Sequence, residues 1–192
     1  MFAVRQLAAV LALPLVLAAR PFVDAKPHTI DKAHSEINFV ADSRMLSAHG
    51  FFGKWDADVK LDAAKWENST VAITIDAASI NTRQERRDGH LRSADFFDVE
   101  KHPTITFKSV SVKSTGANKL DITGDLTVRG TTKRITVPAT MMFYEGSMGR
   151  FRGQFVINRQ DYGVSYDSKL NPIQNDVQVQ WDIALSEAKP AK

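Results

Sequence analysis

The chain has 192 residues, enough for one domain, and sets 25 Lys and Arg against 22 Asp and Glu for a formal charge of +3. So small an excess leaves no electrostatic footprint for nucleic acid. The absence of cysteine excludes disulfides, thiol catalysis and a lipid-modified N-terminal cysteine.

Residues 1–25 read as a secretory signal peptide. Arg5 supplies the positive start, and Leu7 to Ala19 is apolar apart from Pro14. That stretch is too short to span a bilayer and fits the apolar core of an export signal. Val23 and Ala25 occupy the small-residue positions of a cleavage site, with Ala18 behind Val16 as the competing one. Residues 26–192 then form a single domain, and about 170 residues bury a core large enough to need no disulfide.

After a leading segment, Lys26 to Ala33, the apolar residues fall into period-two runs. In Trp55-Asp56-Ala57-Asp58-Val59-Lys60-Leu61 every second side chain is apolar, and Val177 to Leu185 repeats the pattern. Successive strand side chains point to opposite faces, so each run has one apolar and one wet face. Strands are predicted at 34–42, 48–61, 69–76, 104–113, 119–128, 133–144, 150–158 and 176–186. Ser114 to Asn118, Arg129-Gly130-Thr131 and Glu145 to Gly149 are turn sequences that predict hairpins between sequential neighbours. In 119–128 the apolar face is even-numbered (Leu120, Ile122, Leu126, Val128), and in 133–144 it is odd-numbered (Ile135, Val137, Ala139, Met141, Phe143). In 104–113 the phase slips from Ile105 and Phe107 to Val110 and Val112, which predicts a β-bulge near Lys108-Ser109. Eight such strands close into an all-β antiparallel barrel with an apolar interior.

One long interruption, Ala77 to Pro103, is charged and lacks alternation. It predicts a short helix within 83–92, between the third and fourth strands, and a second one capped by Ser93 over Ala94-Asp95-Phe96-Phe97. Long connections in compact domains are often lids. Gln160 to Asn175 is a shorter interruption, and Ser186 to Lys192 reads as a disordered end.

The densest charged cluster is Arg83, Arg86, Arg87, Asp88, His90 and Arg92. It suits an anion or headgroup clamp at a barrel mouth, since guanidinium forks match phosphate and carbonyl oxygens. It equally suits a solvated helix face balanced by Glu85, Asp88 and Asp95. Asn158-Arg159-Gln160-Asp161-Tyr162-Gly163 places Asn158, Arg159 or Tyr162 at the same mouth, or is a plain strand-end turn. Phe39, Phe51, Phe52, Trp55, Ile73, Phe107, Leu126, Met141, Phe143, Phe155, Ile157 and Trp181 recur over most strands. They either fill a core or line a tunnel for an oily guest. The five histidines lack the paired spacing of a zinc helix, and no nucleophile elbow or phosphate loop occurs. Neither a metal nor a catalytic residue is expected. A hydrolase with a spatially assembled triad and a secreted interaction module with a solid interior are the alternatives.

Several motifs occur in order. They are His34-Ser35-x-Ile37-x-Phe39; Ser79-Ile80-x-Thr82; Arg87-Asp88-x-His90-Leu91-x-Ser93-x-Asp95-Phe96-Phe97-Asp98; His102-Pro103-x-Ile105-x-Phe107-x-Ser109; Gly124-Asp125-Leu126-Thr127-Val128-x-Gly130-x-Thr132-Lys133; and Asn158-Arg159-x-Asp161-Tyr162-Gly163. As an ordered set over roughly residues 28–186 they resemble the YceI-like family. The resemblance implies an eight-stranded, lipocalin-like barrel in the periplasm. It also implies that a long polyisoprenoid, quinone-like or similar amphiphile is carried or sequestered in an elongated apolar tunnel, without catalysis. The expected partner is that lipid-like small molecule, held non-covalently with no cofactor, in a monomer or homodimer that touches membranes transiently. One departure stands out: where the family often has a histidine after the first strand, this chain reads Ala41-Asp42-Ser43-Arg44, and His49 is the nearest substitute. Arg87, Asp88, His90, Asn158 and Arg159 are the residues expected to form or brace the mouth.

Overall fold

The structure is a computed structural model that describes residues 25–186; the expected signal peptide up to residue 24 and the tail after Ser186 lie outside the described residues. The strands are β1 (Lys26–Ile30), β2 (Glu36–Ser43), β3 (Ser47–Phe52), β4 (Trp55–Leu61), β5 (Thr70–Asp76), β6 (Ile80–Asn81), β7 (Thr104–Gly116), β8 (Lys119–Val128), β9 (Thr131–Glu145), β10 (Met148–Asn158) and β11 (Ile173–Ser186). One helix, α1 (Glu85–Arg92), lies between β6 and β7.

The eleven segments make eight staves. β1 and β2 are two halves of the first: β1 pairs with the end of β11 and with β4, and β2 pairs with the rest of β11 and with β3. β3 and β4 are the halves of the second stave, β5 and β6 those of the third. β7 to β11 follow as hairpin neighbours, and β11 closes the ring by pairing with β10 on one edge and the first stave on the other. Closure leaves no long unpaired edge. The eight-stranded antiparallel barrel with a helical insertion between staves three and four is therefore the expected one.

The leading segment differs from expectation: residues 26–30 are a strand, not a plain lead-in. The predicted run 48–61 is broken at Gly53-Lys54. These breaks sit level with one another and are stitched together. Asp76 donates its N–H to Lys54 O at 2.9 Å, Gly53 to Ser79 O at 3.1 Å and Asp31 to Ala184 O at 2.9 Å. The Ser35 hydroxyl accepts from Ala184 N–H at 2.9 Å. Backbone groups that leave the ladder thus find partners in the neighbouring break.

Two bulges set which side chains face inward. In β7 the register shifts between Ser109 and Ser111, so Val110 is extruded while Ile105, Phe107 and Val112 face in. This is the predicted bulge, one residue further on. A second, in β9, lies opposite Arg150 and Phe151, which pair with Phe143 and Met141 and skip Met142. A one-residue slip exchanges faces. Phe143 is consequently 48 % exposed, and Tyr144 turns in.

The buried side chains form two clusters. At the end bearing the 61–70, 116–119 and 145–148 connections, Leu61, Val112, Leu120, Phe151 and Leu185 pack beneath Trp66 and Tyr144. Trp66 meets Tyr144 and Phe151 edge-on, with centroids 5.9 and 6.2 Å apart. At the other end Ile37, Ile105, Val128, Tyr162 and Val164 pack against Phe96 and Leu91 of the insertion. After Ser93 the chain makes hydrogen-bonded turns, not a second helix, and reaches Asp98 with φ 48°.

Candidate ligand tunnel

The inward faces do not meet across the barrel. They enclose a cavity of about 520 Å³, within the range of small-molecule sites. Its walls run from Ser43, Leu46 and Asn171 at the insertion end to Leu61, Leu120 and Leu185 beneath Trp66. The wall is almost wholly carbon. A packed interior, the premise of the interaction-module alternative, is not what these residues build.

Glycines explain why large aromatic residues leave room. Phe39 pairs directly with Gly50 across β2 and β3, and a Cβ on Gly50 would come within 2.6 Å of Phe39 Cε1. The Phe39 ring therefore lies over bare backbone. Phe107 lies over Gly124 in the same way, where a Cβ would meet its Cζ at 2.5 Å. Trp181 faces Gly153, with 2.7 Å from such a Cβ to the indole Cζ2. Side chains that would otherwise fill the lumen are laid flat as its lining. Trp181 Nε1 is the one buried side-chain polar atom among the described residues without a hydrogen-bond partner. Such an orphan costs about 1–3 kcal/mol, a cost accepted in holding the indole in that position.

Phe39, Phe52, Ile73, Phe107 and Leu126 line the cavity, as do Phe155, Ile157 and Trp181. Trp55 does not: it packs against both buried clusters, with Lys32 Nζ 3.5 Å from its ring centroid. Met141 packs against the far cluster, and Phe143 is turned outward by the β9 bulge. His49 is exposed, because strand alternation sends it outward between inward Ala48 and Gly50. It takes no part in the wall.

Polar groups gather at the insertion end. Arg87 and His90 line the cavity on α1, and Arg159 lines it from the 3-10 turn Arg159–Tyr162. Asp88 lies behind them, 5 % exposed, and accepts from both the N–H (2.8 Å) and the hydroxyl of Thr82. Arg87 grips the same threonine, Nε on Oγ1 at 2.7 Å and Nη2 on its carbonyl at 2.9 Å. Arg87 and Asp88 thus pin the insertion to the third stave through Thr82, and make no ion pair with each other. Arg92 adds bonds to Ala78 O and Ile80 O at 2.8 and 2.9 Å. His90 Nε2 pairs with Asp95 at 2.8 Å, and its ring stands edge-on to Phe96 and Tyr166.

Arg159 has no carboxylate partner within ion-pair distance among the described residues. Its guanidinium donates instead to four main-chain carbonyls: Gln174 at 3.1 Å, Val164 at 2.7 Å, Tyr166 at 2.8 Å and Ile173 at 3.1 Å. It knots the 163–173 segment into a strap across the mouth. Burial pulls its pKa below the ordinary guanidinium value, opposed by Asp167. Asn158 caps the same turn, accepting from Gln160 N–H at 3.0 Å, and does not line the cavity. The strap itself brings Tyr166, Ser168 and Asn171 to the mouth, and the insertion brings Leu91, Phe96 and Phe97. Apolar residues inside an otherwise polar connection were the available signal for both.

No serine hydroxyl bonds a histidine ring among the described residues, and no cluster of three or more His, Asp or Glu there could hold a metal. The hydrolase alternative therefore finds no assembled triad.

The model of the YceI-like domain matches residues 28–185. A UPF0312 protein of Ectopseudomonas mendocina is 37% identical over 163 residues, covering 81% of this chain and 84% of that one. Among solved structures, Burkholderia cenocepacia BcnA superposes with a TM-score of 0.77 at 28% identity, covering 82% of this chain and 99% of its own. A polyisoprenoid binding domain from Saccharophagus degradans shares the fold, with a TM-score of 0.65 at 16% identity over 84% of this chain and 98% of that one.

Proposed function

This chain belongs to the YceI-like family, and on that basis we propose that it carries or sequesters one long amphiphilic lipid, of polyisoprenoid or similar type, outside the cytoplasm in the periplasm, without catalysing a reaction. The observation that carries this reading is the cavity inside the barrel, apolar along its length and polar only at the insertion end. Six residues of β11 line it, from Ile173 to Leu185, a span of thirteen residues. That is about 40 Å along the strand, or about 30 Å along the axis of a barrel whose strands tilt by roughly 40°. A space long in one direction suits a chain, not a compact ring system. The S. degradans domain, which by its name binds polyisoprenoid, supports the same class of guest.

The polar end gives the headgroup its place. Arg159, Asp88 and Asn158 are occupied in holding the mouth together. Arg87 Nη1 has no hydrogen-bond partner among the described residues, and it is the donor we assign to a ligand oxygen. Native mass spectrometry of the freshly purified protein tests the proposal. One bound species of several hundred daltons, released by organic solvent, is expected. A population that is wholly unliganded, and stays so when offered polyprenols, fatty amides and quinones, refutes it.

A further inference from the structure

We propose that the tunnel mouth is a membrane-docking surface, seated on an anionic bilayer with Met45, Leu46 and Leu170 in its interface. The inference rests on the lipid-tunnel reading and adds where the lipid is exchanged.

Large apolar side chains rarely stand in water in a group without a partner. Leu170 is 85 % exposed, Met45 74 % and Leu46 46 %. They come from two different connections, the β2–β3 turn and the 163–173 strap, and these are tied tip to tip. Met45 N–H donates to Asn171 Oδ1 at 3.0 Å, and Arg44 N–H to Pro172 O at 3.0 Å. Leu46 and Asn171 also line the cavity. The apolar tip is thus continuous with the tunnel wall.

The occupant follows from what flanks the tip. Arg44 and Lys169 are its immediate neighbours, and Arg86 is exposed on the helix that carries Arg87 into the mouth. None of the three makes an ion pair among the described residues. The acidic neighbours Asp42 and Asp167 keep their charge but bond within their own turns, Asp42 to the Ser47 hydroxyl and Asp167 to the N–H groups of Ser168 and Ile173, and neither is within ion-pair distance of a basic side chain among the described residues. Apolar side chains bordered by uncommitted cations fit a lipid surface with anionic headgroups. The other exposed apolar group, Met142, Phe143 and Met148, lies by the far end. Of its flanking cations Arg150 is spent on Asp182 by two bonds of 2.8 and 2.7 Å while Arg152 is unpaired among the described residues, but none of these three apolar residues lines the cavity. Direct contact also removes a kinetic obstacle. Each methylene that had to cross water would disfavour transfer by about fourfold, whereas a docked mouth lets the chain pass from one apolar medium to another.

The chain has no cysteine, so single-cysteine variants carry an environment-sensitive fluorophore at one chosen place. Met45→Cys and Leu170→Cys report on the mouth, and Ala117→Cys reports on the far end. With vesicles of phosphatidylglycerol and phosphatidylcholine, labels at 45 and 170 are expected to shift to the blue and to resist aqueous quencher, while the label at 117 does neither. Arg44→Glu with Lys169→Glu should raise the lipid concentration needed tenfold or more. An unmoved signal at 45 and 170, an equal shift at 117, or indifference of the response to the charge reversal overturns the proposal. A blue shift that grows with protein concentration alone also overturns it, in favour of a second copy as occupant. Native mass spectrometry of the same samples separates the two readings. Lipid uptake without insertion sinks the docking surface alone, and insertion without uptake sinks the tunnel as carrier.

Discussion

Gly50→Ala tests whether glycine holds the lumen open. The new methyl points inward, opposite Phe39, and its three nearest atoms all belong to that ring: Cε1 at 2.6 Å, Cε2 at 3.0 Å and Cζ nearer still. Carbon atoms rest at about 3.5–4.0 Å, so the ring must move by about 1 Å or more, and the empty lumen is where it can go. Because that space is available, the cost is expected at the low end of overpacking, about 1 kcal/mol. Ligand binding should suffer more, since a chain that fills the tunnel has no such slack. We expect uptake of a long polyprenol to weaken at least tenfold, about 1.4 kcal/mol, with the urea midpoint lowered by only about 0.3–1 M. Phe39→Leu in the same chain removes the ring and should restore uptake. The assay is a fluorescence-displacement titration beside urea unfolding. Loss of about 3 kcal/mol or more of stability would mean that Phe39 is wedged into a solid core. Unchanged uptake would mean that the guest lies elsewhere. Either result refutes the reasoning.

Four further outcomes follow from named contacts. Arg159→Lys cannot serve four carbonyls, and should cost about 3 kcal/mol or more by urea unfolding, with hydrogen exchange quickening first across 163–173. Asp88→Ala strands the Thr82 N–H and should cost about 1–3 kcal/mol, loosening α1 by the same measurement while the far end stays protected. Ala139→Trp fills the far end of the tunnel, so the longest polyprenol retained in native mass spectra should shorten, and an unaltered length distribution would contradict the tunnel's direction. His28 is held below its ordinary pKa, mainly by burial, while the Lys26 carbonyl opposes. The unfolded chain therefore binds its proton first. The stabilisation of the neutral ring is present above about pH 6.5 and is lost as pH falls through the lowered folded value; His28→Gln should flatten that part of the stability–pH curve.

The barrel was legible because alternation survives in most strands, and the slip in 104–113 was legible because the apolar positions change from odd to even after Phe107, but Val110, read as the first residue of the new inner face, is the one the bulge extrudes. The β9 bulge was not. Met141, Met142, Phe143 and Tyr144 are all apolar, so nothing polar marks which of them changes face. The mouth was half legible. Residue types picked out Arg87, His90 and Arg159, but a sequence does not say that the acceptors for Arg159 are main-chain carbonyls, nor that Arg87 and Asp88 share Thr82. His49 was misplaced because nearness in sequence to a family position is not the same as strand parity. The glycines were an unused signal: an isolated glycine within a strand marks a close approach to backbone, and Gly50, Gly124 and Gly153 each mark an aromatic of the wall.

These contacts bear on selectivity. Moving a hydrocarbon chain from bilayer to tunnel exchanges one apolar medium for another, so burial from water contributes little to the net transfer. What remains is fit along the wall and whatever the mouth adds. With Arg159, Asp88 and Asn158 committed to structure, the mouth offers chiefly Arg87 Nη1, and a hydrogen bond from a charged group is worth about 1.5–3 kcal/mol. On the proposed reading, that distinguishes a headgroup bearing an oxygen acceptor from one without, by about ten- to a hundredfold, but does little to rank one acceptor against another. Chain length and stiffness, read by a rigid wall of rings laid on glycines, then decide which lipid is held. Abundance in the membrane decides which way it moves.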